Sequence, residues 1–280
     1  MNQSWTLRDL DFVVVWRGMR HEQLPGPLTF TARTKDARAY ERETIEARER
    51  MRTQLHPDCA AALDTLSNAD LLVTAYAWDD NDVQNPKKRV RLVGGRAGDQ
   101  GCVVEQLPGE TVWHSGGFVI RACGALELGR VLAERHPEEK AGAIPELPLV
   151  SRDPAATHQH RTTDSQTLQS DQPRQHVDYT YGRSLIEDSA VDSTWDRSSR
   201  FLSAPTKLLG RVETEQGRSV YGRQGIVTAG FEWRDLEDDG RYAVRPGTPP
   251  LAVAVDTRGM EQLINQDIAT VVRAIKAERG

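Results

Sequence analysis

The two ends of this chain follow one pattern twice, with a polar stretch between them. Residues 66–72 lead into a strand-like run that ends at Trp78, and residues 202–209 lead into another that ends near Glu215. Elements of a domain pack as layers around one core. The repeat therefore predicts two related halves in one sheet, about a pseudo-two-fold axis. Further matching segments are the turns at 98–101 and 238–240 and the closing segments at 118–134 and 251–274.

The stretch between the halves has a different composition. In residues 153–181 the only large aliphatic side chains are Leu168 and Val177, among Gln, Thr, Ser, Asp and His. Such a segment buries too little apolar surface to offset the entropy lost on ordering. We expect one compact domain overall, with an N-terminal half at 1–150, a flexible polar linker at 151–182 and a C-terminal half at 183–280.

Net charge, the longest N-terminal apolar run and the cysteine spacing limit the partners and the cellular compartment expected for this chain. A net charge of −5 argues against nucleic acid and anionic membranes as partners. The apolar run at 12–16 is far too short to span a bilayer, and no signal-peptide pattern follows it, so we expect a cytoplasmic protein without membrane insertion. The cysteines Cys59, Cys102 and Cys123 form no CxxC pair, which favours reduced thiols.

Hydrophobic periodicity predicts the individual elements. The segment 8–19 reads as a helix, with a strand as the competing interpretation because of its β-branched run. Thr34 and Asp58 are the expected N-caps of the next two helices. The strand at 251–255 is apolar on both faces, which predicts a central position in the sheet. Other predicted strands lie at 5–7, 28–32, 71–78 and 226–234, and the closing helix carries a continuous apolar seam.

The motifs of common catalytic and cofactor sites do not occur. There is no GxGxxG, P-loop, HExxH or GxSxG. His158, His160 and His176 resemble a metal cluster, but they fall in the polar stretch, where rigid ligands are not expected. His114 with Ser115 lacks a base-orienting partner for a hydrolase triad. We therefore expect no enzyme activity, no cofactor and no metal.

Aromatic side chains recur on the predicted sheet, which leaves two interpretations open. Aromatic residues on one sheet face are usually core beneath helices, yet Trp, Tyr and Arg also carry much of the binding energy at protein interfaces. The residues concerned are Trp78, Trp113, Phe231, Trp233 and Tyr242. From these observations alone the chain reads as an α/β binding module.

The order of several segments resembles the EspG family, the cytosolic chaperones of ESX (type VII) secretion systems in mycobacteria and related actinobacteria. The likeness covers nearly the whole chain apart from the polar stretch. It is strongest over residues 222–263, where Phe231-Glu232-Trp233, Asp239-Gly240-Arg241-Tyr242 and an apolar final strand fall in the family's order. The other segments that carry it are 5–7, Trp16, 24–28, 66–72 and 88–104.

This resemblance implies a fold, a function and a partner. The fold would be α+β, with a central, largely antiparallel sheet, helical bundles and two related halves in a quasi-two-fold arrangement. The function would be non-catalytic: the chaperone binds the hydrophobic helical tip of a PPE protein in its PE–PPE heterodimer, keeps it soluble and directs it to its secretion system. The family's contact surface involves the sheet, its loops and the C-terminal helical region.

On this basis we expect seven residues to contact the partner, through aromatic burial and rim charge pairs. For Phe231 and Trp233 a place in the sheet core is an equally good interpretation. The alternatives to a chaperone are a homodimeric structural or regulatory module that pairs through its closing helix and, less favoured, a small-molecule hydrolase. The seven expected contact residues are Arg20, Trp113, His114, Arg218, Tyr221, Phe231 and Trp233.

Overall fold

The computed structural model describes residues 3–20, 23–150 and 185–279, with the backbone alone described for Arg20 and residues 185–193. Within these residues one antiparallel sheet of ten strands runs in the order β1-β5-β4-β3-β2-β7-β8-β9-β10-β6. The strands are β1 (Ser4–Leu7), β2 (Leu71–Trp78), β3 (Val90–Ala97), β4 (Gln100–Pro108), β5 (Ser115–Gly124), β6 (Glu146–Pro148), β7 (Thr206–Gln216), β8 (Thr228–Leu236), β9 (Arg241–Arg245) and β10 (Leu251–Ala254).

Helices cover both faces of this sheet. None of the described helices is long and apolar enough to cross a membrane. They are α1 (Asp9–Arg20), α2 (Ala37–Gln54), α3 (Pro57–Ser67), α4 (Leu128–Ala133), α5 (Leu185–Ser203) and α6 (Thr257–Arg279).

The strands of the two halves of the chain meet where β2 pairs with β7. These strands run antiparallel in the middle of the sheet, from Leu71 opposite Gln216 to Trp78 opposite Leu209. From β2 the order continues outward through β3, β4 and β5, and from β7 through β8, β9 and β10. The division at residues 150 and 183 stays a prediction, because residues 151–184 lie outside the described part of the chain. The edge strand β6 comes from the first half of the chain but pairs with β10 of the second.

One face of the sheet packs against α4 and α6 and forms the largest core. Alternate residues of β2, which include Val73 and Ala75, point into it together with Phe231 and Trp233 of β8. The α6 seam, with Met260 among its residues, is buried there. A Cβ at Gly210 would collide with the Trp233 indole ring, so only glycine fits beneath that ring.

The opposite face is covered only near its two outer sides, at the first and the last strands of the sheet order. Helices α1 and α3 pack on β3, β4 and β5, where Phe12 stacks on Phe118 at 4.1 Å between ring centroids. On the other outer side, near β10 and β6, Phe201 of α5 packs edge-on against Tyr242 of β9. No described helix packs on this face at β2 and β7. A strip of central sheet therefore stays uncovered by the described residues.

Four details differ from the sequence expectations. Residues 28–32 are not a strand, because Thr29 bonds to the side chain of Gln106 instead of joining a ladder. Asp36 rather than Thr34 caps α2, since its carboxylate accepts from the Ala39 amide. His56 rather than Asp58 caps α3. The strand β10 lies next to the edge strand β6, and not at the centre.

His136, three positions beyond the end of α4, is buried as a neutral imidazole. Its Nδ1 donates to the Leu132 carbonyl, its ring meets Trp233 edge-on at 5.4 Å, and its Nε2 has no partner within the described structure. Burial lowers its pKa from 6.5 to about 4, and repulsion from Arg241 acts in the same direction.

We expect His136 to make stability depend on pH. Between about pH 6.5 and pH 4 the unfolded chain binds more protons at this residue than the folded protein does, so stability falls as the pH falls. This residue should account for a loss of about 2 kcal/mol between pH 7.5 and pH 5. Urea unfolding of wild type and His136→Leu at both pH values measures it. The variant should lose less stability on acidification, and an equal loss in both proteins would contradict the assignment.

Candidate functional site

The uncovered strip of sheet presents alternate side chains of the central strands. Because the opposite set of residues points into the α4–α6 core, these side chains point away from it. The registers place Tyr76 beside Arg211 and Trp78 beside Leu209, and Arg211 beside Glu232. All are partly or well exposed. We call this set the open central face: Thr74, Tyr76, Trp78, Leu209, Arg211, Glu213 and Glu232.

Two walls border the open central face. On the first-half side, Arg91 of β3 donates from Nη1 to Thr29 Oγ1 at 3.1 Å and so ties the coil after α1 to the sheet. On the second-half side, Arg234 of β8 donates to the Phe201 carbonyl at 3.1 Å, and its guanidinium lies 5.3 Å from the Phe201 ring centroid. The open central face therefore lies between the coil that follows α1 and the C-terminal end of α5.

The chemistry of the open central face is aromatic at one end and acidic towards the other. The rings of Tyr76 and Trp78 stack at 5.7 Å, and Trp78 Nε1 donates to Asp80 at 3.1 Å. Arg211 pairs with Glu213 at 2.8 Å. Next along β7, burial and then the charge of Glu213 raise the pKa of Glu215. A surface of this kind offers aromatic contact area and charges of both signs to a protein partner.

The loop between β7 and β8, residues 217–227, extends from the acidic end of this face. Val220 and Tyr221 at its tip are 72% and 74% exposed. Arg218 and Arg223 are exposed on either side of them. Large apolar side chains with this exposure, rimmed by arginine, are typical of a protein-binding loop.

A second exposed aromatic residue lies in the loop between β4 and β5. Trp113 is 63% exposed, and the neighbouring His114 is partly buried, with Nδ1 2.8 Å from Thr111 Oγ1. Arg33 fastens this loop by donating to Glu110 and to the Ser115 carbonyl at 2.8 Å. This loop lies at the end of the sheet where β2 finishes, whereas the 217–227 loop lies where β2 begins.

Comparison with known proteins identifies the family of this molecule. The model of the EspG family matches residues 9–255. The chain belongs to the EspG family. Its fold is similar to that of the Mycobacterium tuberculosis type VII secretion system chaperone EspG5, solved in complex with the PE25–PPE41 dimer. That match has a TM-score of 0.55 and 11% identity and covers 96% of this chain and 97% of the other. No curated protein matches the chain.

Within this EspG fold the seven expected contact residues do not form one patch. Arg218 and Tyr221 share the 217–227 loop, and Trp113 and His114 share the loop at the other end of the sheet. Arg20 is the last residue of α1, and only its backbone is described.

Phe231 and Trp233 belong to the core of the EspG fold. They are 3% and 1% exposed and pack beneath α6, so their side chains offer no surface to a partner in this conformation. The open central face lies on the other side of the same strands. Because side chains alternate along a strand, Tyr76 and Trp78 share one side of β2. Which side the helices cover was the missing information.

The structure also bears on the hydrolase, metal-site and homodimer interpretations of the sequence. Ser115 is buried and its Oγ donates to the Gly117 carbonyl, so it is not poised as a nucleophile beside His114. Among the described residues no group of His, Cys, Asp and Glu is placed to hold a metal ion. His158, His160 and His176 lie outside those residues. The α6 seam is buried against the sheet and is not available for pairing with a second copy.

Proposed function

We propose that this EspG protein is a non-catalytic chaperone that acts in the cytoplasm. It binds the exposed helical tip of a PPE-type protein within a PE–PPE heterodimer, keeps that cargo soluble and directs it to a type VII secretion system. The observation that carries the proposal is the family match over residues 9–255, together with a fold shared along nearly the full length of a chaperone solved with a PE–PPE dimer.

The proposed contact surface is the open central face together with the 217–227 loop. A helical tip with exposed apolar side chains would aggregate unless it is covered. Tyr76 and Trp78 supply aromatic area for such a tip at one end of the face, and Val220 and Tyr221 supply apolar area beyond its acidic end. Arg211 and Arg218 supply charge pairs that set the orientation. Trp113 and His114 form a separate proposed contact, in the loop at the end of the sheet where β2 finishes.

Co-expression tests this proposal directly. The chain is produced together with a PE–PPE-type pair from the same genome, and the product is analysed by size exclusion with light scattering. We expect a 1:1:1 complex, with cargo that stays soluble only when the chaperone is present. Cargo that precipitates regardless, beside a chaperone that elutes alone, would reject this pairing.

The loop tip provides a first mutational test. We expect Val220→Ser with Tyr221→Ser to weaken cargo capture by about 10- to 100-fold, because two exposed apolar side chains lose their burial in the complex. Titration of purified cargo against labelled chaperone measures the affinity. The melting temperature should hardly change, since both side chains are exposed in the free protein. Ile45→Ser on α2, also an exposed apolar site, is the control. Equal affinities for the loop variant and this control would remove the loop from the contact surface.

A further inference from the structure

The last turn of α6 contacts the 217–227 loop through one carboxylate. Glu278 Oε1 accepts from Ser219 Oγ at 2.9 Å. Its Oε2 accepts from Gln216 Nε2 at 2.9 Å and from the Val220 backbone amide at 3.2 Å. Three donors from one short stretch of chain therefore converge on a single side chain of a different element.

These donors are linked to the rest of the loop. Gln216 Nε2 also donates to the Arg218 carbonyl at 2.7 Å, and Ser219 Oγ accepts from the Tyr221 amide at 3.1 Å. Gly222 follows with φ of 72°, a conformation that favours glycine. The backbone from 216 to 221 is thus fixed by a network with Glu278 at its centre.

The other bonds that hold this loop are made by its backbone, among them those from the Gly217 amide to the Asp70 carbonyl at 2.9 Å and from the Gly222 amide to the Ser219 carbonyl at 3.1 Å. Arg218, Val220 and Tyr221 are exposed, so apolar packing contributes little to the loop's conformation. Hydrogen bonds to a charged acceptor are stronger than neutral ones and fix the donors' geometry. Glu278 is the side chain that ties residues 216–220 to α6, so the direction in which Val220 and Tyr221 project depends on it.

We infer that Glu278 is a positioning residue that holds the 217–227 loop ready to bind cargo, an inference that rests on the proposed function. A loop already ordered in its binding conformation loses less entropy when the partner arrives. The carboxylate itself need not touch cargo. It fixes the direction in which the two apolar side chains of the tip project.

Glu278→Gln is the test variant, and Glu261→Gln is its matched control. A glutamine amide keeps the size of the side chain, but its NH₂ cannot accept from donors that the carboxylate served. Glu261 is partly exposed on the same helix and lies 17 positions earlier, about 25 Å along the helix axis. Both variants should retain the wild-type melting temperature within a few degrees.

The first readout is hydrogen exchange of the 217–227 segment in the protein without cargo. We expect faster exchange by about 10-fold in Glu278→Gln at the Val220 amide, whose acceptor is lost, and no change in Glu261→Gln. Wild-type exchange in both variants would overturn the inference. This readout needs no cargo, so it separates a failure of this inference from a failure of the proposed function.

The second readout is the affinity for a PE–PPE-type pair in a double-mutant cycle. We expect Glu278→Gln alone to weaken capture by about 10-fold. In the Val220→Ser, Tyr221→Ser background the same substitution should have almost no further effect, because the side chains it positions are gone. Full additivity in the cycle would show that Glu278 acts independently of the loop tip, and would overturn the inference.

Discussion

Arg241→Met is expected to lower the free energy of unfolding by about 3–5 kcal/mol, because it leaves a buried carboxylate without its partner. Arg241 is fully buried and Asp235 is 2% exposed. The guanidinium donates to both carboxylate oxygens, from Nε at 2.7 Å and from Nη2 at 2.8 Å. Nη2 also donates to the Pro137 carbonyl at 2.8 Å.

The position of this ion pair explains the size of the expected effect. The Arg241 guanidinium lies 4.5 Å from the Trp233 ring centroid, in the core beneath α6 and next to the neutral His136. Methionine replaces part of the lost volume but donates no hydrogen bond. Asp235 would then remain as an unpaired buried charge, which is the costly outcome.

Urea unfolding followed by far-UV circular dichroism measures the effect of Arg241→Met. Arg52→Ala breaks an exposed pair with Glu49 on α2 and should cost under about 0.5 kcal/mol. Asp235→Leu combined with Arg241→Met should recover much of the stability, since apolar replacement of both partners removes the unpaired charge. A loss below about 1 kcal/mol for Arg241→Met would mean that the pair contributes little to the fold.

Asp235 also illustrates what the sequence could not show. The sequence predicts a turn at residues 238–240, and that turn is present between β8 and β9. Asp239 does serve the turn region, accepting from the Ala143 amide and the Tyr242 hydroxyl. Asp235 belongs to the core, because its partner Arg241 faces it across the ladder. Charge along a sequence does not reveal a cross-strand partner.

The internal repeat and the alternation of apolar and polar residues along strands predicted the fold better than the composition of single segments did. The run from Leu71 to Trp78 alternates strictly between buried and partly exposed residues, as its pattern predicts. The apolar run of β10 does not mark the centre of the sheet. Its side chains are covered by neighbours such as Leu147 of β6, an edge strand of only three residues that a sequence pattern cannot reveal. Residues 28–32 have strand-like composition, but their backbone forms no ladder.

The same limit applies to the candidate site. Trp78 and Trp233 are both aromatic residues on central strands, and composition gives them equal weight. Helix α6 covers Trp233 and leaves the face of Trp78 open. Which face of the sheet is covered depends on where the apolar seam of α6 packs. The sequence around Trp78 and Trp233 gives no information on that packing. The sequence pattern therefore identifies the central strands, but it does not show that the side chains of Phe231 and Trp233 face the covered side of the sheet.

Tyr76→Thr combined with Trp78→Thr is expected to weaken cargo capture by at least ~100-fold. If the cargo tip lies on the open central face, these stacked rings are its largest aromatic contacts. Threonine is chosen because its β-branched side chain suits the central strand. The affinity for a PE–PPE-type pair is measured by titration, with circular dichroism confirming that the variant is folded.

The control for this variant shows whether capture depends on the open central face or only on the number of exposed aromatic rings. Tyr40→Thr removes a partly exposed ring from α2, which packs on α1 away from β2 and β7, and it should leave capture unchanged. Wild-type capture by the Tyr76, Trp78 variant would place the cargo elsewhere. If the 217–227 loop variant were still impaired, the loop would contact cargo and the aromatic end of the open central face would not. Loss of capture in both, against an intact Tyr40 variant, would define one continuous surface from the aromatic end of the sheet to the loop that Glu278 holds.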